Sequence, residues 1–470
     1  MLRKLGTIMI VGLAVLSISA GGAVAGEMDL LVQKLVEKGV LSAGEAQELV
    51  TETHEQIKKQ NAMGTNDLLP QWVQTMKIKG DTRVRFEAIK DKSALYGASK
   101  VYPYDPLAGA STNNTKYLTH ERLRVRLGLE ANPNDQMKVG IGIATGKGSD
   151  PRSRNVSLGN DNTSTGTDYD SASPKNIVLD YAYAQYTPLQ YATITAGKFQ
   201  NPIWSPWDMV WKGDITPEGM AVQLNYPINS DLKLFVNNLD FVLRDADALG
   251  AKQPGLYAVQ PGVSWNITPN TNLKSAVAYY QFENLRGNPR ISYGVGGNRV
   301  YTTSGVYDPI YATTSVYGNN YNSIQPNAEL GFKEPFGGLV HYASIFGDYI
   351  KNLSAHHLTS VSGYDVGVKF GVEKVSDWKE WEMKLATSKM GKDAFVDAFT
   401  DSDRYQKGMT GTQSYEGIFE FGLGKNSSLV LDYYYSFLID KTNLVSTGPT
   451  TYGSGHRPEQ LLQIDWNLKF

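Results

Sequence analysis

Five arginines sit at alternate positions in two short stretches: Arg83 and Arg85 in "TRVRFEA", and Arg122, Arg124 and Arg126 in "ERLRVRL". Side chains two apart share one face of an extended strand. Each stretch therefore presents a row of guanidinium groups on one side, and Val84, Phe86, Leu123, Val125 and Leu127 on the other. A guanidinium keeps its charge and grips carboxylates and phosphates through paired hydrogen bonds. The chemistry open to such rows is electrostatic: holding, orienting and sorting charged solutes, with no bond made or broken. An acidic counterpart lies in "WSPWDMVWKGDITPEG", which carries Asp208, Asp214 and Glu218 among Trp204, Trp207 and Trp211. Basic residues facing acidic ones across a narrow opening set up a transverse field that selects by charge. The competing reading pairs the arginines with Asp81, Glu87, Glu121 and Glu130 along one wall. Lys138 and Lys198 are lesser candidates on nearby segments.

Other chemistries find less support. The chain has no cysteine, so it offers no thiolate, no disulfide framework and no haem-attachment motif. In "GIATGKGSD", three residues rather than four separate Gly142 from Gly146, and Gly148 stands where a phosphate loop needs Ser or Thr. His356 and His357 are adjacent, and adjacent residues of a strand point to opposite faces. "NVS" at 155–157 matters only in a eukaryotic secretory setting. No catalytic residue, metal site or cofactor is expected.

The arginine rows need strands with one wet and one greasy face. In "KIKGDTRVRFEAI", Ile78, Thr82, Val84, Phe86 and Ala88 oppose Lys79, Asp81, Arg83, Arg85 and Glu87. Sixteen segments of comparable length follow this pattern, near 77–89, 118–131, 136–146, 176–187, 191–199, 218–227, 231–241, 256–267, 272–283, 326–334, 339–351, 361–373, 378–389, 414–424, 427–438 and 459–470. Every second connection is short ("NPND", "PLQ", "INS", "PNT", "PFGG", "VSD", "KN"), and the rest are long and polar. Strict alternation of short turns and long loops is what an up-and-down membrane barrel with two different sides produces. The expected fold is all-β, a transmembrane antiparallel barrel of about sixteen strands over 70–470. Exposing one arginine to mid-bilayer lipid costs roughly 2–4 kcal/mol, so the arginine rows must face the lumen. An even strand number puts both chain ends on the short-turn, periplasmic side.

Tyr181 and Tyr183, by their period-two register in "NIVLDYAYAQY", are expected on the outer face, as are Tyr433 and Tyr435. Such rings favour a bilayer interface. At the N-terminus, Arg3 and Lys4, an apolar run and Ala23-Val24-Ala25 read as a signal peptide over 1–25. Its removal takes the formal charge from −2 to −4, which gives no field to attract nucleic acid. Residues 26–69, chiefly 27–61, read as a short helical hairpin or coiled coil, with Ser42 and Glu45 as a capping box.

Three stretches carry a family resemblance. "ITAGKFQNPIWSPWDMVWKGDITPEGMAVQLNYP" resembles the third-loop region of the Gram-negative outer-membrane putative porins, relatives of the general diffusion porins. "RLRVRLGLEA" and "GKGSDPRSRN" add to it. Lys212 departs from the pattern, since many relatives would carry an acidic residue there. The closing "EQLLQIDWNLKF" resembles the C-terminal signal read by the barrel assembly machinery, with Trp466, Leu468 and Phe470 on its apolar face. The resemblance implies a sixteen-stranded homotrimer set in lipid and lipopolysaccharide, with a third loop near 200–217 folded into the pore. It would put Asp208, Asp214 and Glu218 on or beside the constriction and use Trp204, Trp207 and Trp211 to pack the loop. The expected function is passive diffusion of small hydrophilic solutes and ions. A second reading is a structural barrel that sheaths an electron-transfer cytochrome or ties the membrane to the cell wall. A third, an outer-membrane hydrolase, would usually have fewer strands.

Overall fold

The computed structural model describes residues 73, 75–91, 116–147, 150–159, 174–245, 252–289, 291, 298, 300–301, 307–308, 316–338, 340–354, 360–439 and 458–470. The chain divides into two units, Met1–Thr75 and Met76–Phe470. The signal peptide and the helical hairpin expected in the first unit lie outside the described residues, as does the His356–His357 pair.

The second unit is a closed antiparallel barrel of sixteen strands. In chain order these are β1 Lys77–Asp91, β2 Lys116–Asn134, β3 Met137–Thr145, β4 Ile177–Leu189, β5 Ala192–Lys198, β6 Glu218–Pro227, β7 Leu232–Val242 and β8 Gly255–Thr268. They continue as β9 Thr271–Glu283, β10 Asn322–Lys333, β11 Tyr342–Asn352, β12 Ser362–Gly371, β13 Trp381–Met390, β14 Thr412–Gly424, β15 Ser427–Leu438 and β16 Glu459–Lys469. All sixteen coincide with the segments expected from sequence, within a few residues at their ends. Each strand pairs with the next, and β16 returns to β1 in a register running from Asp81↔Lys469 to Asp91↔Glu459. A closed ladder leaves no strand edge in the bilayer, where an unpaired backbone group has no water to turn to. No helix among the described residues is long and apolar enough to cross a membrane; this chain crosses with strands.

The outer wall is apolar. Val84, Phe86, Leu127, Ile141, Leu179, Val259, Ile345 and Leu385 are all exposed there. Aromatic side chains collect at its two ends. Tyr226, Trp265, Trp378, Trp466 and Phe470 lie at the short-turn end, and Tyr117, Tyr257, Tyr349, Tyr364 and Tyr415 at the long-loop end. This is the double girdle of a membrane barrel.

Two close approaches depend on glycine. Phe470 exchanges both backbone hydrogen bonds with Gly80, each 3.0 Å. Its ring lies so near that a Cβ on Gly80 would stand 2.3 Å from Phe470 Cζ and 2.9 Å from the Arg126 carbonyl. The second is a glycine shelf at Gly128, Gly140 and Gly142, on which the rings of Tyr181 and Tyr183 rest. That shelf is on the lumen side, so the outward placement expected for Tyr181 and Tyr183 is incorrect. A bulge shifts the β3–β4 register between Gly142↔Tyr181 and Ile143↔Leu179. One extra residue at Asp180 reverses the face of everything beyond it. Asp180 then pairs with Arg154 at 2.6 Å, and the Tyr183 hydroxyl donates to Glu130 at 3.3 Å.

The main apolar core lies inside the barrel. It joins inward residues of β6 to β9 and β11 (Ala221, Leu239, Leu256, Tyr280, Phe282, Ile350) to Met209, Val210 and Trp211 of one loop and Phe395, Val396 and Phe399 of another.

Candidate functional site

The arginine rows meet across the β1–β2 ladder, where Arg83 faces Arg124, Arg85 faces Arg122, and Asp81 faces Arg126. On the other side of β1, Asp465 of β16 faces Arg85. Like charges directly opposite repel, so these rows hold together only through interleaved carboxylates. Arg85 makes a bidentate pair with Asp465 at 2.6 and 2.7 Å. Arg83 reaches the same carboxylate at 3.5 Å and donates to Asn155 Oδ1 at 2.8 Å. Arg122 meets Glu87 at 3.3 Å. Arg124 and Arg126 share Asp81 at 2.9 and 2.7 Å. Water access differs along the row: the side chain of Arg85 is 5% exposed, that of Arg122 25% and that of Arg126 34%. Lys138 pairs with Glu130 at 3.0 Å.

Residues 199–217 leave β5, cross the lumen and return as β6. Trp204 offers its backbone N–H to Gln260 on β8 at 2.8 Å, and its carbonyl accepts from the same side chain at 2.6 Å. Lys274 stands 4.4 Å from the Trp204 ring. Trp207 stacks on Phe346 of β11, 4.9 Å between centroids, and donates Nε1–H to Glu416 of β14 at 2.9 Å. Trp211 donates to the Tyr280 hydroxyl at 3.1 Å, and that hydroxyl donates to Gln325. The tryptophans thus hold the loop to the inner wall on one side. On the other side Asp214 reaches Arg124 at 3.7 Å and Arg126 at 3.4 Å. Burial by itself would push the Asp214 carboxyl up; Arg124, Arg83 and Arg126 outweigh it and hold it below the usual carboxylate range.

Asp208 turns elsewhere, toward Lys212 at 3.5 Å and Arg404 at 3.6 Å. Glu218 is the first residue of β6 and pairs with Lys198 at 2.9 Å, well exposed and apart from the arginine rows. Trp466, Leu468 and Phe470 face outward at the short-turn end of β16, Trp466 donating to Ser427 at 3.3 Å.

Sequence reasoning missed a second loop. Residues 391–411 join β13 to β14 and also fold inward. Lys212 binds Asp401 and, at 2.9 Å, Asp403. Burial disfavours the Lys212 ammonium, but Asp401, Asp403 and Asp208 more than compensate and raise it well above its ordinary value. Asp403 also reaches Arg85 at 3.7 Å. Against burial, Lys212, Arg85 and Arg83 hold its carboxyl far below the ordinary value. Arg404 sits among Asp365 at 3.3 Å, Glu416 at 3.5 Å, Asp208 and Asp401. The available signal was "DAFVDAF" at 393–399, an apolar run in a connection whose counterparts are polar.

A closed barrel with a greasy outside, an ionic inside and loops turned into the lumen defines a membrane channel protein. The family model described as Putative porin matches residues 55–347 and 351–447, and the chain belongs to that family. Among solved structures it is similar to OprB of Pseudomonas putida, at 11% identity over 87% of this chain and 97% of that one, TM-score 0.48. It is also similar to the outer membrane channel DcaP of Acinetobacter baumannii, at 11% identity over 84% and 98%, TM-score 0.40. A triple mutant of the Rhodopseudomonas blastica porin aligns at 9% identity over 84% and 100%, TM-score 0.39. No curated protein sequence matches the chain.

Proposed function

We propose that the protein is a passive outer-membrane channel through which small hydrophilic solutes and ions diffuse past a charged constriction. The observation that carries this reading is the meeting of Asp214, on the loop that crosses the lumen, with Arg124 and Arg126 on the wall. Loop and wall carry opposite charge where they approach, with Arg122 and Arg126 still reaching water. Such a gap favours solutes that can exchange their hydration for fixed charges and leave again. Three expectations belong to the same reading: export rests on the signal-peptide pattern of residues 1–25, insertion by the barrel assembly machinery on the closing pattern at Phe470, and assembly as a homotrimer in lipid and lipopolysaccharide on the family likeness. A sheath for a cytochrome is disfavoured, because two of the chain's own loops occupy the lumen a threaded partner would need. The test is reconstitution of the folded protein in planar bilayers. Discrete conductance steps are expected; their absence from demonstrably folded protein ends this reading.

A further inference from the structure

The geometry points to a constriction made by two loops, not one: residues 391–411 clamp against residues 199–217, and Asp403 is a selectivity-determining carboxylate at the gap between that clamp and the arginine wall. This inference rests on the channel reading above and deepens it.

A connection at the long-loop end of a barrel ordinarily runs over the surface and is polar. Here Ala394, Phe395, Val396, Ala398 and Phe399 are buried. Phe395 packs 5.1 Å from Tyr280 and 5.4 Å from Phe282 of β9. Trp211 of the other loop lies 5.6 Å from Phe395 and 5.0 Å from Phe399. Each loop therefore adds apolar side chains to one core shared with the wall, and neither could fold inward alone without leaving the other's apolar face wet. Polar contacts set how they meet. The Lys212 backbone N–H donates to the Phe399 carbonyl at 2.9 Å, and the Lys212 ammonium joins Asp401 and Asp403. The rear of the second loop is tied to the wall: Asn352 of β11 donates to the Asp393 carbonyl at 3.0 Å, and the Tyr434 hydroxyl of β15 donates to Asp401 at 3.3 Å.

Asp401 is fully buried within this clasp, whereas Asp403 is 17% exposed and stands between Lys212 and Arg85. Because Asp403 touches Arg85 and Asp214 touches Arg126, an ion passes beside these pairs and meets carboxylates of the clamp and guanidinium groups of the wall together. Lys212 gains its meaning here. An acidic residue at that position would face Asp401 and Asp403 and drive the two loops apart, so its positive charge is what the second loop requires.

The chain has no cysteine, so introduced thiols report without background. Asp403→Cys and, on the wall, Arg126→Cys are reconstituted in bilayers and exposed to a small anionic methanethiosulfonate and to its cationic counterpart. Both positions are expected to react. At Asp403→Cys the two reagents should lower unit conductance in discrete steps and shift the reversal potential in opposite directions. A second variant, Phe395→Asp with Phe399→Asp, should expel the second loop and raise unit conductance above wild type, its barrel checked by heat-modifiable gel migration. If wild type conducts, and Arg126→Cys conducts and responds, while Asp403→Cys is indifferent to both reagents, the two-loop constriction is refuted and the channel reading survives. A folded Phe395→Asp/Phe399→Asp barrel of wild-type conductance refutes it equally. If folded wild type does not conduct, the channel reading itself fails.

Discussion

At the scale of single residues, many buried charges among the described residues are matched by an opposite charge contributed from another strand or loop, whereas Asp348 is held by the neutral Ser205 and Gln325. Asp465 shows the dependence most clearly, since it serves Arg85 bidentately and Arg83 at 3.5 Å. Asp465→Asn keeps the shape and removes the charge, leaving two guanidinium groups facing each other's neighbours in a nearly dry corner. Removing one partner of a buried ion pair costs about 3–5 kcal/mol. The urea midpoint of the refolded barrel in detergent should fall accordingly, and an unchanged midpoint would mean that lumen water already screens the pair. The loop clasp makes a pH prediction. Asp403 is depressed in the folded protein, so its contribution is present above the unfolded value near 3.9 and is lost as pH falls through the folded one. Lys212 is raised, so its contribution is full below about 10.4 and is lost as pH rises through its folded value. Asp214 follows Asp403 in sign. By these three groups alone, unit conductance should be steady from about pH 5 to about pH 10; Asp208, pushed up by burial and by Asp401, titrates with the opposite sign. A transition centred near pH 7 would assign control of the loops to other groups.

At the scale of elements, period-two alternation places β1 to β16, and it does so because each strand has lipid on one side and water or buried polar groups on the other. The alternation fails where an element departs from regular pairing. The bulge at Asp180 moved Tyr181 and Tyr183 from the expected outer face to the lumen, and no residue type in "IVLDYAYAQY" announces a bulge. Seam closure by β16 depends on a residue that sequence reasoning passed over, Gly80. Gly80→Ala would place a methyl group 2.3 Å from Phe470 Cζ and 2.9 Å from the Arg126 carbonyl. The ring must swing away, at a cost of about 1–3 kcal/mol for an overpacked site. The variant should lose its heat-resistant compact gel form at a lower temperature than wild type. Phe470→Ser in the same background should add little to the loss, because the contact is already gone.

At the scale of the whole molecule, wall and loops divide the lumen electrically. The arginine rows meet Asp214 and Asp403 of the loops, and Asp208 stands apart with Lys212 and Arg404. On the proposed channel reading, exposure grades the influence of each charge on a passing ion. Reversing Arg122, Arg124 and Arg126 to Glu should move the reversal potential under a salt gradient toward cation preference. Arg126→Glu alone should account for more of that shift than Arg85→Glu, whose position is 5% exposed and enclosed by Asp465 and Asp403. Equal shifts from the two would show that the permeation path runs elsewhere.

The sixteen strands, the lumen-facing side of the arginines and the alternation of short and long connections were all legible in the amino-acid sequence. They follow from local periodicity and from the cost of exposing charge to lipid, both readable a dozen residues at a time. Which carboxylate meets which arginine was not legible. Asp465 lies 380 positions from Arg85, and the two meet only because the barrel closes. Tertiary structure alone decided that Asp208 turns to Lys212 and Arg404, that Glu218 stays with Lys198, and that residues 391–411 enter the lumen. Inward folding of a loop depends on apolar partners supplied by another loop and by strands remote in sequence, and no local pattern records where those partners will be.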